Sequence, residues 1–221
     1  MKILAIIPAH NEAKTIAPLT GAVNVLGYDV LVIDDGSVDQ TAELAKMAGA
    51  AVLSTGRKSG KGNAMRMGFE YALNHGYDAV IALDGDGQHA PSDIRAFIDC
   101  HTKTGAGIVT GNRMSNPKGM PWLRLATNSF MSWLISIICK QTIPDTQCGF
   151  RFMTAEVLRK VRLECSDFEI ETEILVKGSK QGFKIASVPV ETIYEDEVSK
   201  IRPVKDTVRF IRYIIRESLR K

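Results

Sequence analysis

The first half of the chain alternates short apolar runs with longer stretches whose apolar residues recur at helical spacing. Residues 2–7, 30–33, 51–54, 79–83 and 107–110 are runs of Val, Ile, Leu and Ala. Such continuous runs suit parallel strands covered on both faces. Between them, residues 12–26, 39–48, 62–74 and 91–103 predict helices. Ser37 followed by Gln40 fits a capping box, and Pro91 fits a first helical turn. This βαβα rhythm predicts an α/β fold with a mostly parallel, twisted sheet flanked by helices. The rhythm breaks after Arg113. A turn-rich loop at 115–119 leads into an apolar helix over 122–140 and a connection over 145–151. Helices over 155–161 and 169–181, a strand over 184–190, a polar loop over 195–200 and a last helix over 203–219 follow. No repeat or low-complexity linker interrupts the 221 residues, so one domain spanning 1–221 is expected.

Composition adds little to this picture, but the distribution of charge adds more. A net charge of +3 points to no nucleic-acid partner, yet residues 200–221 hold eight Lys or Arg against two acidic residues. Arg202, Lys205, Arg209, Arg212, Arg216 and Arg220 recur every three or four positions. Val204, Val208, Ile211, Ile215 and Leu219 have similar spacing. A C-terminal basic amphipathic helix over 201–221 is expected, either seeking an anionic membrane surface or packed on its own domain with a solvated basic face. The opening MKILAIIPAHNE reads as a strand running into polar residues, and no apolar run reaches the ~18 residues of a spanning helix. Cys100, Cys139, Cys148 and Cys165 form no CxxC pair and read as reduced thiols. The expected location is cytoplasmic, with at most peripheral attachment to the inner face of the cell membrane. Trp122, Trp133 and the aliphatics of 122–140 suit a lipid interface, a core, or a contact with a second copy or a membrane protein.

Candidate chemistry clusters where strands end. Pro8 to Glu12 follow the first strand, Asp34 to Ser37 the second, and Asp84 to His89 the fourth. In open α/β sheets, groups beyond the carboxyl ends of the strands share one crevice. Helix capping alone would account for Asp34 and Ser37, but not for a second acidic cluster at the same edge. Asp84 and Asp86, two apart with Gly85 and Gly87 beside them, can approach one hard divalent cation from the same side. Lys61 within Gly60-Lys61-Gly62 lacks both the glycine spacing and the Ser or Thr of a P-loop, and no GxGxxG follows the first strand.

Pro8-Ala-His-Asn-Glu12, Asp34-Asp-Gly-Ser37, Asp84-Gly-Asp-Gly-Gln-His89, Gly111-Asn-Arg113 and Asp145-Thr-Gln-Cys-Gly-Phe-Arg151 occur in a characteristic order. In that order and spacing the chain resembles family 2 glycosyltransferases, within the branch of dolichol-phosphate mannose synthases and polyprenyl-phosphate glycosyltransferases. The resemblance implies a GT-A (Rossmann-like) fold, with 1–113 as the nucleotide-sugar half and 114–200 as the acceptor half. It implies an inverting, metal-dependent hexosyltransferase moving a hexose from a nucleotide diphosphate-sugar to a polyprenyl phosphate. A soluble acceptor, or a regulator that only binds the nucleotide-sugar, are the alternatives. By the same resemblance, Pro8, His10, Glu12, Ile33 and Asp35 hold base and ribose, with His10 where many relatives have Tyr. Asp84, Gly85 and Asp86 take the diphosphate through Mg²⁺ or Mn²⁺, with Gln88 as a further metal ligand. Arg113 and Lys200 face the phosphates, and Tyr194 departs from an Arg found in mannose synthases. Arg124 and Arg151 would position an acceptor phosphate, and Asp145 would act as base or orient the acceptor. Asp86, Asp145, Arg113 and Arg151 make the expected catalytic set, a structural ion pair being the alternative for Asp145 and Arg151.

Overall fold

A computed structural model describes residues 1–117, 119–191, 210 and 212–214. Seven strands form one sheet in the order β3-β2-β1-β4-β6-β5-β7. They are β1 (Ile3–Ala9), β2 (Asp29–Asp34), β3 (Ala51–Ser54), β4 (Ala79–Ala82), β5 (Ile108–Asn112), β6 (Arg151–Thr154) and β7 (Ile185–Pro189). The helices are α1 (Ile16–Val25), α2 (Thr41–Met47), α3 (Lys61–Asn74), α4 (Ile94–Thr104), α5 (Trp122–Cys139), α6 (Ala155–Lys160) and α7 (Ile170–Lys180). Strands β1, β2, β3 and β4 pair in parallel, as do β5 and β7, whereas β6 runs antiparallel between β4 and β5. This is the mostly parallel α/β sheet that the apolar runs predict.

Each strand divides its side chains between two cores, as a period of two requires. Leu4 and Ile6 of β1 meet Met65 and Phe69 of α3, in a cluster that includes Ile135 of α5 and Ile174 of α7. Ile3, Ala5 and Ile7 face the opposite side with Leu19 of α1 and Phe97 of α4. Phe210 and Tyr213 are buried against the first cluster, while Arg212 faces solvent. Phe210 and residues 212–214 are the only described part of the expected C-terminal helix. Its other residues lie outside the described ones.

Strand β6 departs from the sequence expectation, which ran a connection through Arg151 toward the helix at 155–161. Four residues carry no periodicity of their own, and β6 exists because its backbone closes the gap between β4 and β5. Arg151 stands opposite both Ala82 and Thr110. The capping box also fails to form. Gln40 is the N-cap of α2 without a side-chain cap, and Ser37 Oγ instead accepts from the Asn11 amide at 2.9 Å. Helix α1 starts at Ile16, because Glu12 and Thr15 are drawn into the crevice. The Glu12 amide donates to Thr41 Oγ1 at 2.8 Å, and Thr15 Oγ1 donates to the Gly85 carbonyl at 2.6 Å.

Candidate active site

The carboxyl ends of β1, β2, β4 and β5 lie on one edge of the sheet. The antiparallel sense of β6 brings its first residue, Arg151, to the same edge. Pro8 and Ile33 are register partners at the ends of β1 and β2. Asn11 follows with φ 57°, a left-handed conformation that Asn tolerates, and its side chain accepts from the Val38 amide at 2.9 Å. Residues 10–12 and 34–38 are thereby stitched into one wall, with His10 and Glu12 half-buried in it. Asp35 turns its carboxylate onto the loop after β3, accepting from the Ser59 amide at 2.7 Å and the Gly60 amide at 2.9 Å. Burial opposes ionisation of Asp35, but these bonds outweigh it and hold its pKa below the usual range.

Asp84 is pinned on three sides. Its Oδ1 lies 2.5 Å from Lys61 Nζ, its Oδ2 lies 4.0 Å from His89 Nε2, and its carboxylate rests against Gly149. Burial pushes the Asp84 pKa up, but the Lys61 ammonium more than reverses this and brings it down to about 2. The Asp84 amide donates to His89 Nδ1 at 3.2 Å, and burial lowers the pKa of that imidazole. Asp86 is pushed the other way, by burial and by the charge of Asp84. Its Oδ1 accepts from the Gln88 amide at 3.0 Å. Lys61 Nζ also lies 2.5 Å from Glu171 Oε1. Burial works against that ammonium, yet the two carboxylates raise its pKa above the ordinary lysine value.

Arg113 and Asp145 form a buried two-pronged pair. Arg113 Nε donates to Asp145 Oδ2 at 2.8 Å and Nη2 to Oδ1 at 3.0 Å, with a further bond from the Arg113 amide at 3.2 Å. Asp145 is fully buried, which disfavours its charge, but Arg113 keeps its pKa below the usual carboxylate range. A carboxylate so committed is a poor proton acceptor. Arg151 corrects another expectation. It is 1% exposed and donates from Nε to the Cys148 carbonyl at 2.8 Å, from Nη2 to the Thr146 carbonyl at 2.6 Å, and from Nη1 to the Glu171 carbonyl. All three guanidinium nitrogens are turned onto backbone, so Arg151 holds the 145–151 connection to α7 and presents no fork to an acceptor. The ion pair between Asp145 and Arg151, the alternative to their catalytic roles, does not form, and Asp145 pairs with Arg113 instead. Arg124, on α5, is half-buried, and its guanidinium has no hydrogen-bond or ion-pair partner among the described residues. Lys200 and Tyr194 lie outside the described residues.

The family model for glycosyl transferase family 2 matches residues 4–162. The chain belongs to glycosyl transferase family 2. It is 35% identical to the glycosyltransferase AglJ of Haloferax volcanii, over 92% of this chain and 68% of that protein. It is 27% identical to a polyprenol monophosphomannose synthase of Mycolicibacterium smegmatis, over 98% of this chain and 86% of that protein. In fold it matches glucosyl-3-phosphoglycerate synthase from Mycobacterium tuberculosis, solved with Mn²⁺ and UDP-glucose, with a TM-score of 0.75 at 21% identity over 99% of this chain and 78% of that one.

The donor set at Asp84 and Asp86 fits a divalent cation. Both offer hard oxygen ligands, and the raised pKa of Asp86 marks a second negative charge that a cation would relieve. No group of three His, Cys, Asp or Glu side chains among the described residues could hold a metal alone. Two carboxylates, with Gln88 beside them, suit an ion that is also held by substrate phosphates.

Glu171 and Gly149 are the residues that sequence reasoning missed. Glu171 reads as one of several acids in the first turn of α7, where the helix dipole accounts for them. Gly149 sits inside the 145–151 motif without a role of its own. A Cβ there would stand 2.3 Å from Asp84 Oδ2. Gly149→Ala is therefore expected to displace the Asp84 carboxylate and slow sugar transfer by about 10²-fold, the scale of a 1 Å misplacement at a reacting centre. Initial rates check it, and an unchanged rate would show that the contact does not position Asp84.

Proposed function

We propose that this glycosyltransferase moves a hexose, with inversion, from a nucleotide diphosphate-sugar to a polyprenyl phosphate. The observation that carries the reading is Asp84–Asp86 at the sheet edge, beside the wall formed by residues 8–12 and 33–38. Pro8, His10, Glu12, Ile33 and Asp35 hold the nucleoside, and Gly85 lets the backbone approach the diphosphate. Asp84, Asp86 and Gln88 would hold a Mg²⁺ or Mn²⁺ ion, which would supply charge stabilisation to the departing diphosphate, a role worth several kcal/mol. Arg113, oriented by Asp145, adds positive charge on the same side; the family resemblance assigns Lys200 a phosphate-facing role as well. An acceptor phosphate oxygen bonds to the anomeric carbon as the bond from that carbon to the diphosphate oxygen breaks. The nucleoside diphosphate leaves with the bonding pair. A phosphate nucleophile is already anionic, so the commitment of Asp145 to Arg113 costs the reaction nothing.

The acceptor side rests on α5. Arg124 and, one turn on, Asn128 line up along the helix, and the buried Asn128 Nδ2 has no hydrogen-bond partner among the described residues. The opposite face of α5 exposes Trp122 (78%), Phe130 (61%) and Trp133 (59%). No helix of the described residues is long and apolar enough to cross a membrane. An exposed aromatic face on the helix that also carries Arg124 suits a protein that takes its acceptor from the surface of a bilayer. Several relatives are named for such acceptors, among them an undecaprenyl-phosphate mannosyltransferase of Micrococcus luteus.

Purified protein incubated with labelled nucleotide-sugars and Mn²⁺, with and without polyprenyl phosphate, tests the reading. Label passing into the organic phase supports it. Transfer to a soluble phosphorylated acceptor alone redirects it, and donor binding without transfer to any acceptor points to a regulator. Burying one large apolar side chain is worth about 1.5–3 kcal/mol. The double variant Trp122→Ser/Trp133→Ser is thus expected to weaken binding to anionic vesicles by roughly a hundredfold or more, read by sedimentation. Unchanged sedimentation would remove α5 from the membrane surface.

A further inference from the structure

Among the described residues Lys61 is the one ammonium that touches the proposed metal ligands, and its surroundings are uneven. On one side lies Asp84, whose side chain is 28% exposed toward the crevice; on the other lies Glu171, 9% exposed. Glu171 is anchored from behind, with Oε2 4.0 Å from Arg151 Nη2 and its own carbonyl accepting from Arg151 Nη1. The Phe168 ring adds a third contact, its centroid 5.7 Å from Lys61 Nζ. Among the described residues, four carboxylates (Asp84, Asp86, Asp145 and Glu171) meet three cations (Lys61, Arg113 and Arg151) in this cluster. Among these residues one negative charge is left over, and the ammonium that balances Asp84 occupies one of the two oxygens that Asp84 could offer a metal.

We propose that Lys61 is a place-holding cation: it neutralises Asp84 in the donor-free protein and is handed to Glu171 when a divalent cation claims Asp84. This rests on the proposed metal site at Asp84 and Asp86. Glu171 is a positioning residue, because it touches Lys61 and not the reacting atoms. Its fixed carboxylate keeps the displaced ammonium inside the site, where it becomes available to a diphosphate. The exchange makes the empty site a weak metal binder, so that the ion enters together with the phosphates that complete its shell.

The two partners of the exchange should act on metal affinity in opposite directions. Free Mn²⁺ is measured by electron paramagnetic resonance with protein and Mn²⁺ alone, no nucleotide being present. Lys61→Met removes the competitor for Asp84 and is expected to bind Mn²⁺ at least tenfold more tightly than the wild type. Glu171→Gln removes the alternative partner, leaves Lys61 on Asp84, and is expected to bind Mn²⁺ several-fold more weakly. Circular dichroism confirms that each variant is folded, and either variant alone keeps the proposal open to refutation. If the wild type binds Mn²⁺ through Asp86 and Lys61→Met binds it no more tightly, the exchange is overturned while the metal site stands. If Glu171→Gln binds as tightly as the wild type, Glu171 is not the receiving group and the exchange is likewise overturned. If neither the wild type nor Lys61→Met binds Mn²⁺ alone, the exchange is overturned, and if neither binds it with UDP added, the metal site itself falls.

Discussion

Asp86→Ala is expected to leave a folded protein whose sugar transfer is reduced by roughly 10²–10³-fold, the cost of losing one group that stabilises developing charge. The fold should tolerate the change, because Asp86 sits in a half-exposed loop and its side chain accepts only from the Gln88 amide among the described residues. Burial and the neighbouring charge of Asp84 already disfavour its ionised form, so its removal relieves repulsion in the metal-free protein. The melting temperature should hold or rise slightly while the rate collapses. Parallel initial-rate and thermal-melting measurements separate the two effects. A rate within tenfold of the wild type would remove Asp86 from the metal site.

Asp145→Ala should have the largest effect on stability. It strands the buried Arg113 guanidinium and removes the acceptor for the Gln147 amide, which donates to Asp145 Oδ1 at 3.0 Å. Breaking a buried ion pair from one side costs about 3–5 kcal/mol. At about 2–4 °C per kcal/mol for a chain of this size, the melting temperature should fall by roughly 6–20 °C. Arg113→Met/Asp145→Leu, which removes both charges, should recover much of that stability but none of the activity. The pH dependence has a definite sign. The folded pKa of Asp145 is lowered, so its contribution is complete above the unfolded value of about 3.9 and is lost as pH falls through the folded value. Asp145→Ala should therefore flatten the acid limb of the stability profile. A melting temperature within 2 °C of the wild type, on the same scale about 1 kcal/mol or less, would show that Arg113 finds another partner.

The parallel part of the sheet was legible because each of β1, β2, β4 and β5 is an apolar run with no competing periodicity. Strand β6 was not, since its four residues pair only with strands 40 or more positions earlier and announce nothing locally. The edge location of Asp84, Asp86 and Asp35 followed from topology: once the runs are parallel strands, the residues after them share one edge. What their side chains touch did not follow. Ser37 could be read as a helix cap because its neighbours in the chain allow it, whereas its hydrogen bond goes to Asn11, 26 residues away.

The alternation of parallel strands and helices, the crevice and the residue types that line it were determined by the sequence itself, because periodicity and strand-end position are local properties. Tertiary structure alone decided how the charges divide. Asp145 pairs with Arg113 across 32 positions, Arg151 is spent on backbone carbonyls, and Lys61 bridges Asp84 to Glu171 across 110. Charged groups buried together choose partners by distance and desolvation, and neither quantity is written in the spacing along a chain.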